Sequence, residues 1–185
     1  KDLIEGCKLN DRKCKEMIYK SFYGYLMGVI LRYINERDDA SELVNDSFIK
    51  IFKAMEKFNF TEGHENPEAA FRSWISRIAS RTAIDFLRTQ KSFISMDEIK
   101  ESELPVTQLN ALSDLNVQDI LKMLDTLSSV QRTIFNMYEI EGFSHDEIAA
   151  SLKIPESSCR VYLTRARQKL REQYLIITNT PYAKI

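Results

Sequence analysis

The sequence predicts an all-α protein of two small helical domains joined by an extended linker. Three observations carry that reading. Apolar residues recur at helical spacing, and strand-like alternation is rare. Glycine is scarce, five in 185 residues, in a chain that is 44% hydrophobic. The helical rhythm lapses over Ser92–Leu112, where Pro105, acids and small polar residues gather, and it resumes beyond. The expected division is residues 1–91, a linker at 92–112, a second domain at 113–177 and a tail at 178–185.

The first helix is expected within residues 11–35. Met17, Ile18, Phe22, Tyr25, Leu26, Val29, Ile30 and Tyr33 give it a wide apolar face. Gly24 and Gly28 lie inside it, at roughly 1 kcal/mol each against alanine, and close helix packing is the expected compensation. A second helix is expected from Asp38–Asp39, acids suited to a helix N-terminus. Leu43, Val44, Phe48, Ile51, Phe52 and Met55 form its buried stripe, which leaves Asp39, Glu42 and Asp46 near one exposed side. Phe58–Asn66 reads as a loop, and Pro67 suits the first turn of a third helix. Phe71, Trp74, Ile75, Ile78, Ala79, Ile84 and Leu87 supply that helix's apolar contacts. Its arginines fall mostly on the other side. Trp74, among apolar neighbours, is expected in the core rather than as a stacking platform.

In the second domain, Ser113 suits the N-cap of a helix carrying Val117, Ile120, Leu121, Leu124 and Leu127. Ser128 suits the cap of the next, with Val130, Ile134, Phe135, Met137 and Tyr138. Ser144 and Glu147 make a capping box ahead of Ile148 and Ala149. Lys153–Ile154–Pro155 is a short turn. The last helix is expected from near Pro155 to about Tyr174.

Several function classes drop out. His64 and His145, the two histidines, fall in different domains, and no Gly-rich phosphate loop, H-E-x-x-H or Ser/His/Asp cluster occurs. No enzyme, cofactor or metal is expected. No apolar run approaches the ~20 residues that cross a bilayer, and no signal-peptide pattern follows Lys1. A cytoplasmic protein without membrane insertion is expected. Cys7, Cys14 and Cys159 are odd in number and lack metal-ligand spacing, so inert thiols in a reducing compartment fit best. A Cys7–Cys14 redox pair is the alternative.

The net charge of −1 argues against a DNA binder, but its distribution argues for one. Arg72, Arg77, Arg81, Arg88 and Lys91 face one acid, Asp85, across residues 72–91. Lys153, Arg160, Arg165, Arg167, Lys169 and Arg171 face only Glu156 across residues 153–171. Local basic stripes are what phosphate meets. Residues 144–152, the turn, and the basic helix after it read as a helix–turn–helix. Its second helix would enter a major groove N-terminus first, with Glu156, Ser157, Arg160, Val161 and Thr164 toward the bases. Arg160 suits a bidentate pair with guanine O6 and N7. A solvated helix face is the plain alternative for any single charge run.

These pieces, in this order, resemble the extracytoplasmic-function class of sigma factors. Residues 127–173 resemble its region 4. The stretch Asp39–Ala40–Ser41–Glu42–Leu43–Val44–Asn45–Asp46–Ser47–Phe48 resembles the acidic D-A-E-D-L-V-Q-E-x-F signature of region 2. Phe71–Arg72–Ser73–Trp74–Ile75–Ser76–Arg77–Ile78–Ala79 resembles its F-x-x-W-L-x-R-I-A signature, followed by Ala83–Ile84–Asp85–Phe86–Leu87–Arg88. The chain departs in the length between Phe58 and Phe71, in Arg81 where Asn is common, and in Ser158, Cys159 and Tyr162 where Thr, Val and Arg are common.

The resemblance implies a set of roles. Asp39, Glu42, Leu43 and Asp46 would bind the β′ clamp helices of core RNA polymerase, and the second domain the β flap. Phe60, His64, Asn66, Arg77, Arg81, Arg88 and Lys91 would engage the −10 element, where a base flips out of the duplex as it opens. Ser157, Ser158, Arg160, Val161, Thr164, Arg165 and Arg167 would engage the −35 element. Asp97, Glu98, Glu101 and Glu103 would thread with the linker toward the polymerase channels. Promoter DNA and core polymerase are then the partners, and an anti-sigma factor or another DNA-targeting partner stays open. The rival is a stand-alone helix–turn–helix regulator, which needs neither region 2 signature. A protein-interaction scaffold would leave the cations of residues 153–171 unused.

Overall fold

Helices form wherever the apolar stripes recur, in a computed structural model that describes residues 2–59, 66–89 and 117–179. The chain divides into two compact units, Lys1–Phe86 and Leu87–Ile185. Among the described residues every regular element is helical. Phe60, His64, Lys91, the linker with its four acids, and Ser113 lie outside the described residues, as do 180–185.

Unit 1 holds α1 (Asp2–Lys8), α2 (Arg12–Ile30), α3 (Arg37–Ala54) with a 3-10 turn (Met55–Lys57), and α4 (Pro67–Thr89). The sequence pattern gave no expectation for α1. Gly6 lets it seat closely on α2, because a Cβ there would clash with Cys14 Sγ. Asp11 caps α2 through Oδ1, which accepts from the Cys14 N–H at 2.9 Å. That bond holds the Asp11 carboxyl below the usual carboxylate range.

The core draws Ile18, Leu26, Val29 and Ile30 from α2, Ala40, Leu43, Val44, Phe48 and Ile51 from α3, and Phe71, Ile75, Ala79 and Ile84 from α4. Each fully buried large side chain stabilises by about 1.5–3 kcal/mol. Phe71 meets Phe22 and Phe58 edge to face, at 5.3 and 5.4 Å. Trp74 is half-buried, 4.9 Å from Phe58, so it packs as a core neighbour. Polar pairs fix the helix register: Tyr19 donates to Asn45 Oδ1 and Lys50 to Thr82 Oγ1.

Three expectations for α2 are corrected. Gly24 and Gly28 are exposed, and a Cβ on either would meet nothing within 4 Å. No close helix approach offsets them, and the buried face opposite holds α2 instead. Met17 is 53% exposed, outside the stripe in which it was expected. The helix also stops at Ile30, with Tyr33 and Ile34 buried in the turn beyond.

Unit 2 holds α5 (Val117–Asp125), α6 (Ser129–Phe135), a π-helical turn (Asn136–Ile140), α7 (His145–Leu152) and α8 (Glu156–Asn179). Leu124, Leu127 and Ala166 pack together with Phe135 and Leu170 against them. Ile134, Met137, Ile148, Leu152 and Leu163 are also buried. Ile120, expected in the stripe, is 48% exposed.

Ends matter here because α6 and α7 are so short. Ser128 and Gln131 form a reciprocal capping box, as do Ser144 and Glu147. Arg132 is buried and its Nη1 donates to Asp125 Oδ1 at 2.6 Å, tying α6 to the end of α5. Burial pulls the Arg132 pKa down and Asp125 opposes that. Helix α8 runs to Asn179, past the expected end near Tyr174 and into the stretch expected as a tail. No described helix is long and apolar enough to cross a membrane.

Candidate polymerase and nucleic-acid interfaces

The turn into α7 is built on Gly142, at φ +70°, and on Phe143, 3% exposed, whose N–H donates to the Met137 carbonyl at 2.9 Å. Lys153 closes α7 in the left-handed conformation, φ 56° and ψ 42°. Helix α8 starts three residues on and presents Cys159, Leu163, Ala166 and Leu170 inward, at spacings of four, three and four. That fixes what points out. At about 100° per residue, Ser157, Arg160, Val161, Thr164 and Arg165 share the opposite, exposed side.

The outward strip mixes charge with an apolar surface. Val161 is 49% exposed amid cations, a surface suited to a thymine methyl. Thr164 spends its hydroxyl hydrogen on the Arg160 carbonyl at 2.9 Å. Arg160 pairs with Glu156 one turn back, at 2.5 Å, both side chains about half exposed. Such a pair is worth about 0.3–0.5 kcal/mol, so it holds Arg160 only weakly.

Ser158 and Arg167 sit differently. Ser158 is half-buried at the flank. Arg167 lies at the opposite flank, where its Nε donates to Glu139 Oε1 at 2.5 Å and its guanidinium sits 5.5 Å from the centre of the Tyr138 ring. Tyr138 in turn stacks on His145, centroids 4.5 Å apart and 21° between planes. His145 Nδ1 stands 3.5 Å from Cys159 Sγ. Sequence periodicity missed Tyr138 and Glu139 as partners of α8, because a π turn shifts the side chains that follow it out of α-helical phase.

In unit 1, Glu42 and Asp46 are exposed and Asp39 is half-buried, spaced three and four apart on one strip of α3. Leu43 points the other way. It is 5% exposed, part of the core, and so anchors the strip from beneath. Ile49, one turn beyond Asp46, is 52% exposed on the same strip. Its signal in the sequence was a single apolar residue out of phase with its helix.

On α4, Arg77, Arg81 and Arg88 fall on one strip at spacings of four and seven; Arg77 is half-buried and the others are exposed. Arg72 is placed elsewhere, over the rings of Phe22 and Tyr25 and paired with Glu68. Asn66 is the cap of α4. Its Oδ1 accepts from the Glu68 and Ala69 N–H groups at 3.0 and 3.1 Å.

Among the described residues no three His, Cys, Asp or Glu side chains converge as a metal site. The three cysteines are free, and burial pushes the Cys7, Cys14 and Cys159 thiols up, away from reactive thiolate.

Residues 18–93 match sigma-70 region 2, and residues 117–170 match sigma-70, region 4. Together these matches span well over half of the chain. The ECF RNA polymerase sigma-E factor of Haemophilus influenzae is 24% identical over 185 residues, covering 92% of this chain and 93% of the relative. The RNA polymerase sigma-H factor of Pseudomonas aeruginosa is 23% identical over 182 residues, covering 91% and 90%. The sigma factor RpoE from Bartonella quintana, solved with the anti-sigma factor NepR, shares the fold at a TM-score of 0.51 and 20% identity, over 87% of this chain and 96% of that one. With two successive regions of one family matched in order, the chain belongs to the sigma-70 family and is an RNA polymerase sigma factor of the extracytoplasmic-function type.

Proposed function

We propose that this protein binds core RNA polymerase, directs it to particular promoters and promotes DNA opening there. The observation that carries the reading is the outward strip of α8, Ser157, Arg160, Val161, Thr164 and Arg165, standing on an apolar face whose residues Cys159, Leu163 and Ala166 are 0–2% exposed. A rigid helix with that strip is a major-groove reader for the −35 element. Arg160 takes base edges, and Val161 takes thymine methyls.

The α3 strip of Asp39, Glu42 and Asp46, with Ile49 beside it, docks on the β′ clamp helices of the polymerase. The second unit docks on the β flap. The α4 strip of Arg77, Arg81 and Arg88 holds the phosphates of the −10 element. Asn66 joins that contact, and so do Phe60, His64 and Lys91, which lie outside the described residues. Flipping a base there costs a few kcal/mol, offset by stacking and edge hydrogen bonds. Catalysis belongs to the polymerase, and this chain needs no cofactor of its own. An anti-sigma factor is a further proposed partner, as is a bacterial cytoplasmic location beside the nucleoid. The proposed domain limits are 1–91, 92–112, 113–177 and 178–185.

Two variants test the separate surfaces. Reversing charge at Asp39, Glu42 and Asp46 to Lys should abolish capture by immobilised core polymerase while leaving the fold intact by circular dichroism. Undiminished capture would remove the α3 strip from the interface. Arg160→Ala should cost about 1–3 kcal/mol at one −35 base pair and relax preference there. An unchanged preference in promoter selection would remove Arg160 from base reading.

A further inference from the structure

Arg167 carries a charge that the sequence assigns to DNA and the structure ties to another element. Arg160, Thr164, Arg167 and Arg171 step along one edge of α8 at spacings of four, three and four. A long side chain on that edge reaches outward to a phosphate or back toward the π turn. It takes the second course, with Nε on the Glu139 carboxylate and the guanidinium over Tyr138. Its side chain is 52% exposed and that of Glu139 32%.

The contrast with Arg160 decides the matter. Arg160 meets one carboxylate on its own helix, and both side chains are about half exposed. Arg167 meets two groups on a different element, one charged and one aromatic. Those groups are themselves held. The π turn closes with the Glu141 N–H on the Asn136 carbonyl at 3.0 Å, and Tyr138 is stacked on His145.

We propose that Glu139 is a positioning residue that withholds Arg167 from the DNA phosphates, making this arginine a strut between α8 and the π turn. The proposal rests on α8 being the DNA-contacting helix. Its consequence is that the wild-type chain neutralises one phosphate fewer than its basic helix suggests. Loss of the Glu139 charge would release Arg167 and add that contact.

The test uses the full chain and a 30-base-pair mixed-sequence duplex, because the phosphate contribution is independent of sequence. Binding is followed by fluorescence anisotropy from 50 to 200 mM salt for wild type, Glu139→Gln, Arg167→Gln and the double variant. Gln keeps much of each side chain's stem, and circular dichroism checks the fold. Each phosphate contact contributes a slope of about −0.9 to log affinity against log salt. Glu139→Gln should therefore steepen the slope by about 0.9. Its advantage over wild type should shrink about 3.5-fold across that salt range. Arg167→Gln should leave the slope unchanged, and the double variant should match it.

Two results would overturn the proposal and leave α8 as the DNA helix. One is a slope flattened by about 0.9 in Arg167→Gln, which would put Arg167 already on DNA. The other is equal steepening by Glu139→Gln with and without Arg167, which would reduce Glu139 to bulk charge. A wild-type chain that binds no duplex at 50 mM salt would overturn the DNA role of α8 and this proposal with it.

Discussion

In unit 1, α2, α3 and α4, of 18–23 residues, close on one another through Ile30, Ile51, Ile75 and Ile84, each fully buried, and through the ring cluster around Phe71. In unit 2, α6 and α7 run only 7 and 8 residues and are secured at their ends. Isolated helices below about 12 residues are marginal in water. Capping boxes at Ser128 and Ser144, the Arg132–Asp125 pair and the Arg167–Glu139 pair fill that gap. The difference teaches where polar groups are free to serve a partner. Long helices held by their apolar faces leave a strip such as Asp39, Glu42 and Asp46 to face outward. Short helices recruit polar side chains into the fold, and a cation that looks available in the sequence can already be in use.

The comparison breaks most visibly at Phe71. Phe71→Ala should destabilise unit 1 by about 3–5 kcal/mol, the usual range for a fully packed aromatic. Trp74, the one tryptophan, reports unit 1 by fluorescence during urea unfolding. A loss under about 1 kcal/mol would mean the ring cluster is not what closes the unit. Next comes Asp125→Ala, which takes the carboxylate from a guanidinium that is only 6% exposed. A destabilisation of about 1–3 kcal/mol in unit 2 is expected, seen as faster amide exchange in α5 and α6. Unchanged exchange there would make the pair incidental.

Capping sharpens the contrast on a smaller scale. Ser144→Ala should cost about 1 kcal/mol, lowering the melting point of unit 2 and leaving Trp74 unfolding where it was. Smallest and opposite in sign are Gly24→Ala and Gly28→Ala. Both positions are open and helical, so each should stabilise unit 1 by roughly 0.5–1 kcal/mol. A lower melting point for either would reveal packing at that face that the structure does not place there.

What could be read from the sequence divides along the same line. The all-α class, the α2, α3 and α4 stripes and the Ser144–Glu147 capping box were legible, because apolar period and cap chemistry are local. The outward placing of Arg160 and Val161 followed from the same periodicity. Polar commitments were not legible. Asn66 read as a loop residue, and its place as the cap of α4 was not visible, because a cap depends on where the helix begins. Leu43 sat inside an acidic signature and is buried. Arg167 looked like its neighbours on a basic helix, and its partner stands 28 residues earlier in a π turn that no periodicity marks. Gly24 and Gly28 suggested close packing, and the helix simply carries them on its wet side.

The central claim is that this one chain gives core polymerase its promoter address. The direct measurement is run-off transcription by purified core polymerase on a library of randomised promoters, with and without the protein. Start sites that appear only with the protein, sharing elements near −35 and −10, are the predicted result. Core polymerase that binds the protein yet initiates nowhere new would contradict it, and so would a protein that does not bind core polymerase.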